Sequence, residues 1–196
     1  MGTRSITFIR KRIPKRECSV TKRSLGGPDE SQYIYEYFVC VYQQCDGYVE
    51  GGVGEWLAEF LSKFIRDFSS VHLDTGFFAA KFVKDFMEKD DQHKLLCPIA
   101  PLQEMFRHDH QLAYIITVDS TRKFFDDKSI MLSMYSNCIL TARPEKFMKK
   151  YKQCENQIEE SEIQYEVIDY GDEEVEKEGY LSEDQLLGKF LLKCNY

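Results

Sequence analysis

The chain has 196 residues, of which 43% are apolar and 14% aromatic, enough for one well-formed core and too apolar for a disordered chain. No run of 18 apolar residues occurs, so no helical membrane crossing is expected, and the opening MGTRSITFIRKRIPKR lacks the apolar stretch of a secretory leader. The net charge of −7 is polarised: residues 1–30 hold eight Lys/Arg against three acids, whereas residues 155–184 hold thirteen Asp/Glu against the single Lys177. A dedicated nucleic-acid surface is therefore not expected, and the two ends read as solvated arms.

Residues 3–13 alternate weakly through Ile6 and Phe8 and predict a first strand that emerges into charge. The segment 14–30, with Pro14, Gly26, Gly27 and Pro28 among charged residues, reads as a basic loop or insertion. From Gln32 to Gln43 the chain is nearly continuous in β-branched and aromatic residues, the pattern of a central strand covered on both faces. Residues 55–68 predict a helix with a stripe of Trp56, Leu57, Phe60, Leu61, Phe64, Ile65 and Phe68. A second helix is predicted over 76–89 through Phe78, Phe82, Val83, Phe86 and Met87, with Thr75 as its N-cap.

Residues 91–110 contain Pro98, Pro101 and three histidines and read as an irregular connection. QLAYIITVD at 111–119 and SIMLSMYSNCIL at 129–140 predict two strands paired as an antiparallel hairpin across a polar link containing Asp126 and Asp127. Pro144 opens a helix running to about Ile158. Residues 159–180 are acidic, and SEDQLLGKFLLK at 182–193 predicts a short closing helix capped by Ser182. The sum is an α+β domain over residues 1–158, with a mainly antiparallel sheet and helices against it, followed by an acidic segment over 159–196.

Three constellations bear on chemistry. The stretch CVYQQCDGYVEGGVGEWLAEFL at 40–61 places Gly47, Gly51, Gly52 and Gly54 between a strand and a helix. It is not a phosphate loop, since Glu55 and Trp56 follow the last glycine, and Leu57 stands where a dinucleotide fingerprint needs a small residue. Two readings remain: a tight structural turn, or an anion held by the free N–H groups of the helix, which Glu50 and Glu55 oppose. Asp46 sits at the carboxyl end of a strand, where ligands often collect, and Cys45 beside it lacks a histidine close in sequence to activate it.

The third constellation, His93, Cys97, His108 and His110, has metal-ligand chemistry without the spacing of a standard zinc module, and an ordinary polar loop is the favoured reading over a metal site. No cofactor is expected from any motif. The seven cysteines (Cys18, Cys40, Cys45, Cys97, Cys138, Cys154 and Cys194) are odd in number and scattered, which favours free thiols in a reducing compartment such as the cytoplasm. Gly2 after Met1 begins like a myristoylation signal, but Ile6 stands where Ser or Thr is required, so no lipid anchor is expected.

With MGTRSITFI at 1–9, VYQQCDGYVEGGVGEWLAEFL at 41–61, FFAAKFVKDF at 77–86 and AYIITVD at 113–119, the chain resembles a family of small proteins of phages, bacteria and fungi. That family opens with M-G-T-R-S and carries Y-R-Q-F-D-G-Y-P followed by G-x-G and L-A-x-F-L. The resemblance covers roughly the first two-thirds of the chain and implies a fold rather than an activity, with virus–host interaction as an analogy. The chain departs from the pattern at Gln43, Cys45, Val49 and Val53, and retains Tyr42, Asp46, Gly47, Tyr48, Gly51 and Gly54.

The expected function is binding of a small molecule or a protein partner at the corner formed by Arg4, Tyr42, Asp46, Gly47, Tyr48, Gly51 and Gly54. The alternatives are a small hydrolase using Asp46 with Cys45 or a metal, and a structural interaction protein.

Overall fold

The computed structural model describes residues 2–15, 33–89, 93–99, 111–136, 139–158 and 166–168. Within them lie strands β1 (Ser5–Pro14), β2 (Tyr33–Gln43), β3 (Lys94–Leu96), β4 (Leu112–Asp119), β5 (Ile130–Tyr135), β6 (Ile139–Ala142) and β7 (Glu166–Ile168). The helices are α1 (Val53–Asp67), α2 (Thr75–Lys89) and α3 (Pro144–Ile158). The basic loop beyond Lys15 and the C-terminal helix expected at 182–193 lie outside the described residues. No helix among the described residues is long and apolar enough to cross a membrane.

The seven described strands form one sheet in the order β3-β2-β1-β4-β5-β6-β7. Four neighbouring pairs are antiparallel, as expected, but β1 pairs with β4 in parallel and β6 with β7 in parallel, so the sheet is mixed. The fold is α+β. Strand β7 comes from the acidic segment, which therefore contributes to the sheet as well as to the tail.

The stretch 129–140 forms two strands rather than one. After Tyr135 come Ser136 and Asn137, residue types that favour turns, and β6 folds back to pair with β5 through Leu132–Ala142.

All three helices lie on one face. α2 covers β2, α1 crosses towards β5 and packs on α3, and α3 covers β5 and β6. Their apolar stripes drive this: Leu57, Leu61 and Phe64 of α1, Phe78, Phe82 and Phe86 of α2, and Phe147 of α3 are buried in one cluster with Ile9, Val41, Tyr114, Ile116 and Leu132. Each such side chain contributes about 1.5–3 kcal/mol by leaving water. Rings meet at favourable angles, with Phe64 edge-on to Phe125 at 4.9 Å and to Phe78 at 5.0 Å. The opposite face buries a smaller cluster of Ile6, Phe8, Cys40, Ala113, Ile115 and Tyr135.

Two expectations are corrected. Asp74, not Thr75, caps α2, its carboxylate accepting from Phe77 N–H at 2.9 Å and its carbonyl from Phe78 N–H at 3.1 Å. Thr75 is the first helical residue, buried with its hydroxyl unpartnered.

Strand β2 is not central. It is second from the described edge, and Tyr33–Phe38 are half-buried or exposed, leaving only Val39–Val41 and Gln43 fully inside. Its tyrosines have another use. Tyr35 lies under the Arg10 guanidinium at 3.9 Å, and Tyr33 lies under that of Arg12 at 4.8 Å, so aromatic faces cover cations of β1. A bulge at Ile9/Arg10 shifts the register where this cationic stretch begins.

Arg10 and Arg12 also bind across the parallel pair. Arg10 Nε donates to Thr117 Oγ1 at 2.9 Å and Arg12 to Asp119 Oδ2 at 2.8 Å, each residue standing opposite its partner in register. Burial alone raises the Asp119 pKa, but the N–H and hydroxyl of Thr121 and the Arg12 guanidinium outweigh it and hold the carboxyl below its ordinary value of 3.8. Because the folded value is the lower one, the stabilisation is complete above pH about 4 and is lost as the pH falls through the folded pKa. Asp119→Asn is therefore expected to lower the unfolding free energy by about 1 kcal/mol at neutral pH. The deficit should close towards pH ~2, where the wild-type carboxyl is itself neutral. Urea titrations at the two pH values read this directly, and an equal deficit at both contradicts the assignment.

Candidate functional site

The turn between β2 and α1 is built from the backbone outwards. Gly47 N–H donates to Thr3 carbonyl at 2.8 Å, and the Gly47 carbonyl accepts from the Tyr114 hydroxyl of β4 at 2.9 Å. The opening residues and the D-G-Y turn, more than forty positions apart, thus form one corner at the start of β1 and β4. The approach is close: a Cβ on Gly47 would stand 2.7 Å from Ser5 Cβ and 2.8 Å from Ser5 N. Gly2 lies equally close to Cys45, covering that half-buried thiol.

The helix end that an anion would need is occupied by the chain itself. Val53 N–H donates to Asp46 carbonyl at 3.0 Å, Gly54 N–H to Tyr48 at 3.2 Å and Glu55 N–H to Val49 at 2.8 Å. The Glu55 carboxylate folds back to accept from Gly51 N–H at 2.6 Å. Groups that a phosphate would need already have partners, and the nearest carboxylate repels one. Gly51 takes φ +70°, open to glycine without strain, whereas Asp46 adopts φ 57° despite its side chain. Asp is among the residues that tolerate that region, because it can bond locally.

Of the expected residues, Asp46 and Tyr48 are exposed at this corner, Gly47 and Gly54 are buried in it, and Gly51 lies at its surface. Asp46 and Tyr48 meet: the Asp46 carboxylate raises the Tyr48 phenol pKa, first through its charge and then, after a small effect of burial, by accepting its hydrogen bond. Arg4 is half-buried, and its carbonyl accepts from Gln111 and Leu112 N–H at 3.0 and 3.2 Å, joining the opening to β4. Tyr42 alternates with Val41 and Gln43, which face the helices, and so lies on the opposite face of the sheet from the underside of the turn.

Beneath the turn the floor is polar. Ser5 and Gln43 stand opposite each other across β1 and β2; Gln43 Nε2 donates to Cys45 carbonyl at 2.6 Å, while Gln43 Oε1 and the fully buried Ser5 Oγ have no hydrogen-bond partner among the described residues. Tyr114 completes this floor, its phenol pKa pushed up by burial and by nearby Tyr151, with Gly54 N–H acting the other way. The roles of Tyr114 and Gln43 were not legible beforehand, since each reads as an ordinary strand residue.

The metal constellation is not gathered. Gln44 N–H donates to His93 carbonyl and Cys97 N–H to Cys40 carbonyl, so the chain between them is extended and separates His93 from Cys97 by about 13 Å. That span is too long for two ligands of one ion. His108 and His110 lie outside the described residues, within which no group of three metal-capable side chains is found. Elsewhere, a groove of about 440 Å³ runs between α1 and α2, floored by Trp56, Phe60, Phe64 and Phe68 and rimmed by Lys63, Asp67, Lys81 and Asp85.

The corner predicts a graded response to added methyl groups. Gly47→Ala forces β1 and the turn apart and is expected to cost about 2–3 kcal/mol, whereas a Cβ at Gly51 makes only an ordinary contact with the Tyr48 ring at 3.8 Å and costs about 1 kcal/mol through its backbone angle. Chemical denaturation of the two variants gives the order, and a milder effect at Gly47 than at Gly51 contradicts the packing described.

No family model, curated protein or solved structure matches the chain.

Proposed function

We propose that this chain is a binding domain whose recognition corner is made by Thr3–Ser5 and the turn Cys45–Tyr48, with Asp46 and Tyr48 as the contacting side chains. The observation that carries this reading is the convergence of the two motifs: the polar opening M-G-T-R-S, for which strand packing alone has little use, is hydrogen-bonded and packed onto D-G-Y. A non-glycine residue held at positive φ and presenting its carboxylate outwards from a rigid turn adds to it.

The electrostatics select the ligand class. Lys152 pairs with Glu50 at 3.0 Å, but Asp46 and Glu55 keep the turn net negative and the helix N–H groups are filled, so the corner suits a ligand that offers N–H donors or positive charge rather than a phosphate. Such a ligand can be a small amine or guanidine, or the basic side chain of a protein partner. The resemblance to phage proteins would extend this to contact between virus and host.

The expected result is that a small guanidine or polyamine raises Tm and moves the amide resonances of Gly47 and Tyr48, while adenine nucleotides do neither. Asp46→Ala should remove the response with the fold intact, and Asp46→Asn should lower the Tyr48 pKa, followed by its ring resonances, because the raising charge is gone. A nucleotide response that survives Asp46→Ala overturns the reading.

A further inference from the structure

The geometry points to Cys40 and Cys97 as a reversible dithiol that a hydroperoxide closes into a cross-strand disulfide, pinning the edge strand β3 to β2. The register places them together: Val41 stands opposite Leu96 and Tyr42 opposite Leu95, so the next pair outward is Cys40 with Cys97. Cys97 N–H donates to Cys40 carbonyl at 2.8 Å, confirming that the ladder continues to this pair. Residues paired in this way have Cα atoms about 5.5 Å apart and side chains on one face, inside the 4.4–6.8 Å range that a disulfide requires. Both are free thiols, and Cys97 packs against the small cluster that buries Cys40.

The two thiols differ in a way that assigns their roles. Cys40 is fully buried, and burial, followed by the neighbouring Cys97, pushes its pKa up, so it is a poor first nucleophile. Cys97 is partly exposed at the described edge, with its thiol near Leu95 carbonyl at 3.7 Å. Cys97 as thiolate attacks the terminal oxygen of the hydroperoxide, breaking the O–O bond and forming a sulfenic acid, with an alcohol or water as leaving group. The sulfur of Cys40 then attacks the sulfenic sulfur, its proton leaves with the hydroxyl as water, and the S–S bond forms. Two thiols lose two electrons and two protons, and the peroxide takes them up.

The bond acts on a ladder that ends at Gln44, whose N–H is held by His93 carbonyl at 2.9 Å, one residue before the Cys45–Tyr48 corner. Closing the dithiol therefore stiffens the approach to that corner, and the inference holds whether or not the corner binds a ligand.

The test uses the full, pre-reduced chain treated with one equivalent of hydrogen peroxide, alkylated with N-ethylmaleimide, digested and analysed by mass spectrometry. The expected product is a single Cys40–Cys97 linked peptide, lighter by two hydrogens than the two thiol peptides and lost on treatment with dithiothreitol. Hydrogen exchange of the Leu95 and Cys97 amides should slow in the oxidised protein. Cys40→Ala should leave Cys97 as a sulfenic acid that dimedone traps, and Cys97→Ala should leave Cys40 reduced at the same dose. If wild-type Cys97 is over-oxidised while Cys40 stays reduced, or if either links to a different cysteine, the pairing is wrong.

Discussion

The corner between β2 and α1 hangs from the backbone of one residue. The Gly47 N–H is taken by Thr3 and its carbonyl by Tyr114, so the two peptide groups flanking one Cα tie the start of β1 and the middle of the sheet to the segment that launches α1. The carbonyls around it, of Asp46, Tyr48 and Val49, take the first N–H groups of that helix. A helix normally leaves such donors for a side-chain cap or a ligand. Here no side chain caps the residue at its start, and the turn supplies the acceptors. The glycines follow from that arrangement, because carbonyls can converge on a helix end only where the backbone lies too close for side chains.

The same arrangement separates structure from recognition at the corner. Backbone groups point inwards and are used up in holding the fold, which leaves side chains as the means of contact. Asp46 and Tyr48 are what remain outside, close enough for the Asp46 charge to raise the Tyr48 phenol pKa. On the proposed binding role, a rigid support under exposed polar groups would reduce the entropy lost on binding.

At the other end of β1 the constraint is electrostatic. Arg10 is almost completely buried, a costly position for a guanidinium unless its donors and its faces are satisfied. Thr117 takes one donor and Tyr35 covers a face, while Arg12 is matched by Asp119 and Tyr33 in the same way. The tyrosine-rich half of β2 is thus explained by the arginines of β1. A stretch that reads as a central strand therefore lies near an edge: Tyr33 and Tyr35, which read as core, serve as lids for charge.

Much of the framework is legible in the amino-acid order alone. The stripe from Leu57 to Phe64, the Phe78–Phe82–Phe86 repeat and the proline at the head of α3 specify three helices, because a 3.6-residue period leaves only one face to bury. The failure of both phosphate motifs at the glycine turn was legible as well, since those chemistries need particular side chains. Local patterns fall short where two residues compete for one role, as Asp74 and Thr75 do for the cap, because loop geometry and not residue type decides between them. They are silent on long-range pairing. The parallel match of β1 with β4, the meeting of Thr3 with Gly47, and the juxtaposition of Cys40 with Cys97 depend on how distant strands return to the sheet. Sequence alone therefore determined the three helices, the longer strands and the helices' buried faces, which are set by nearest-neighbour chemistry, but not the short strands β3, β6 and β7. Tertiary structure decided which motifs share a corner and which thiols share a pair, because hydrogen-bond register across a sheet has no counterpart in local order.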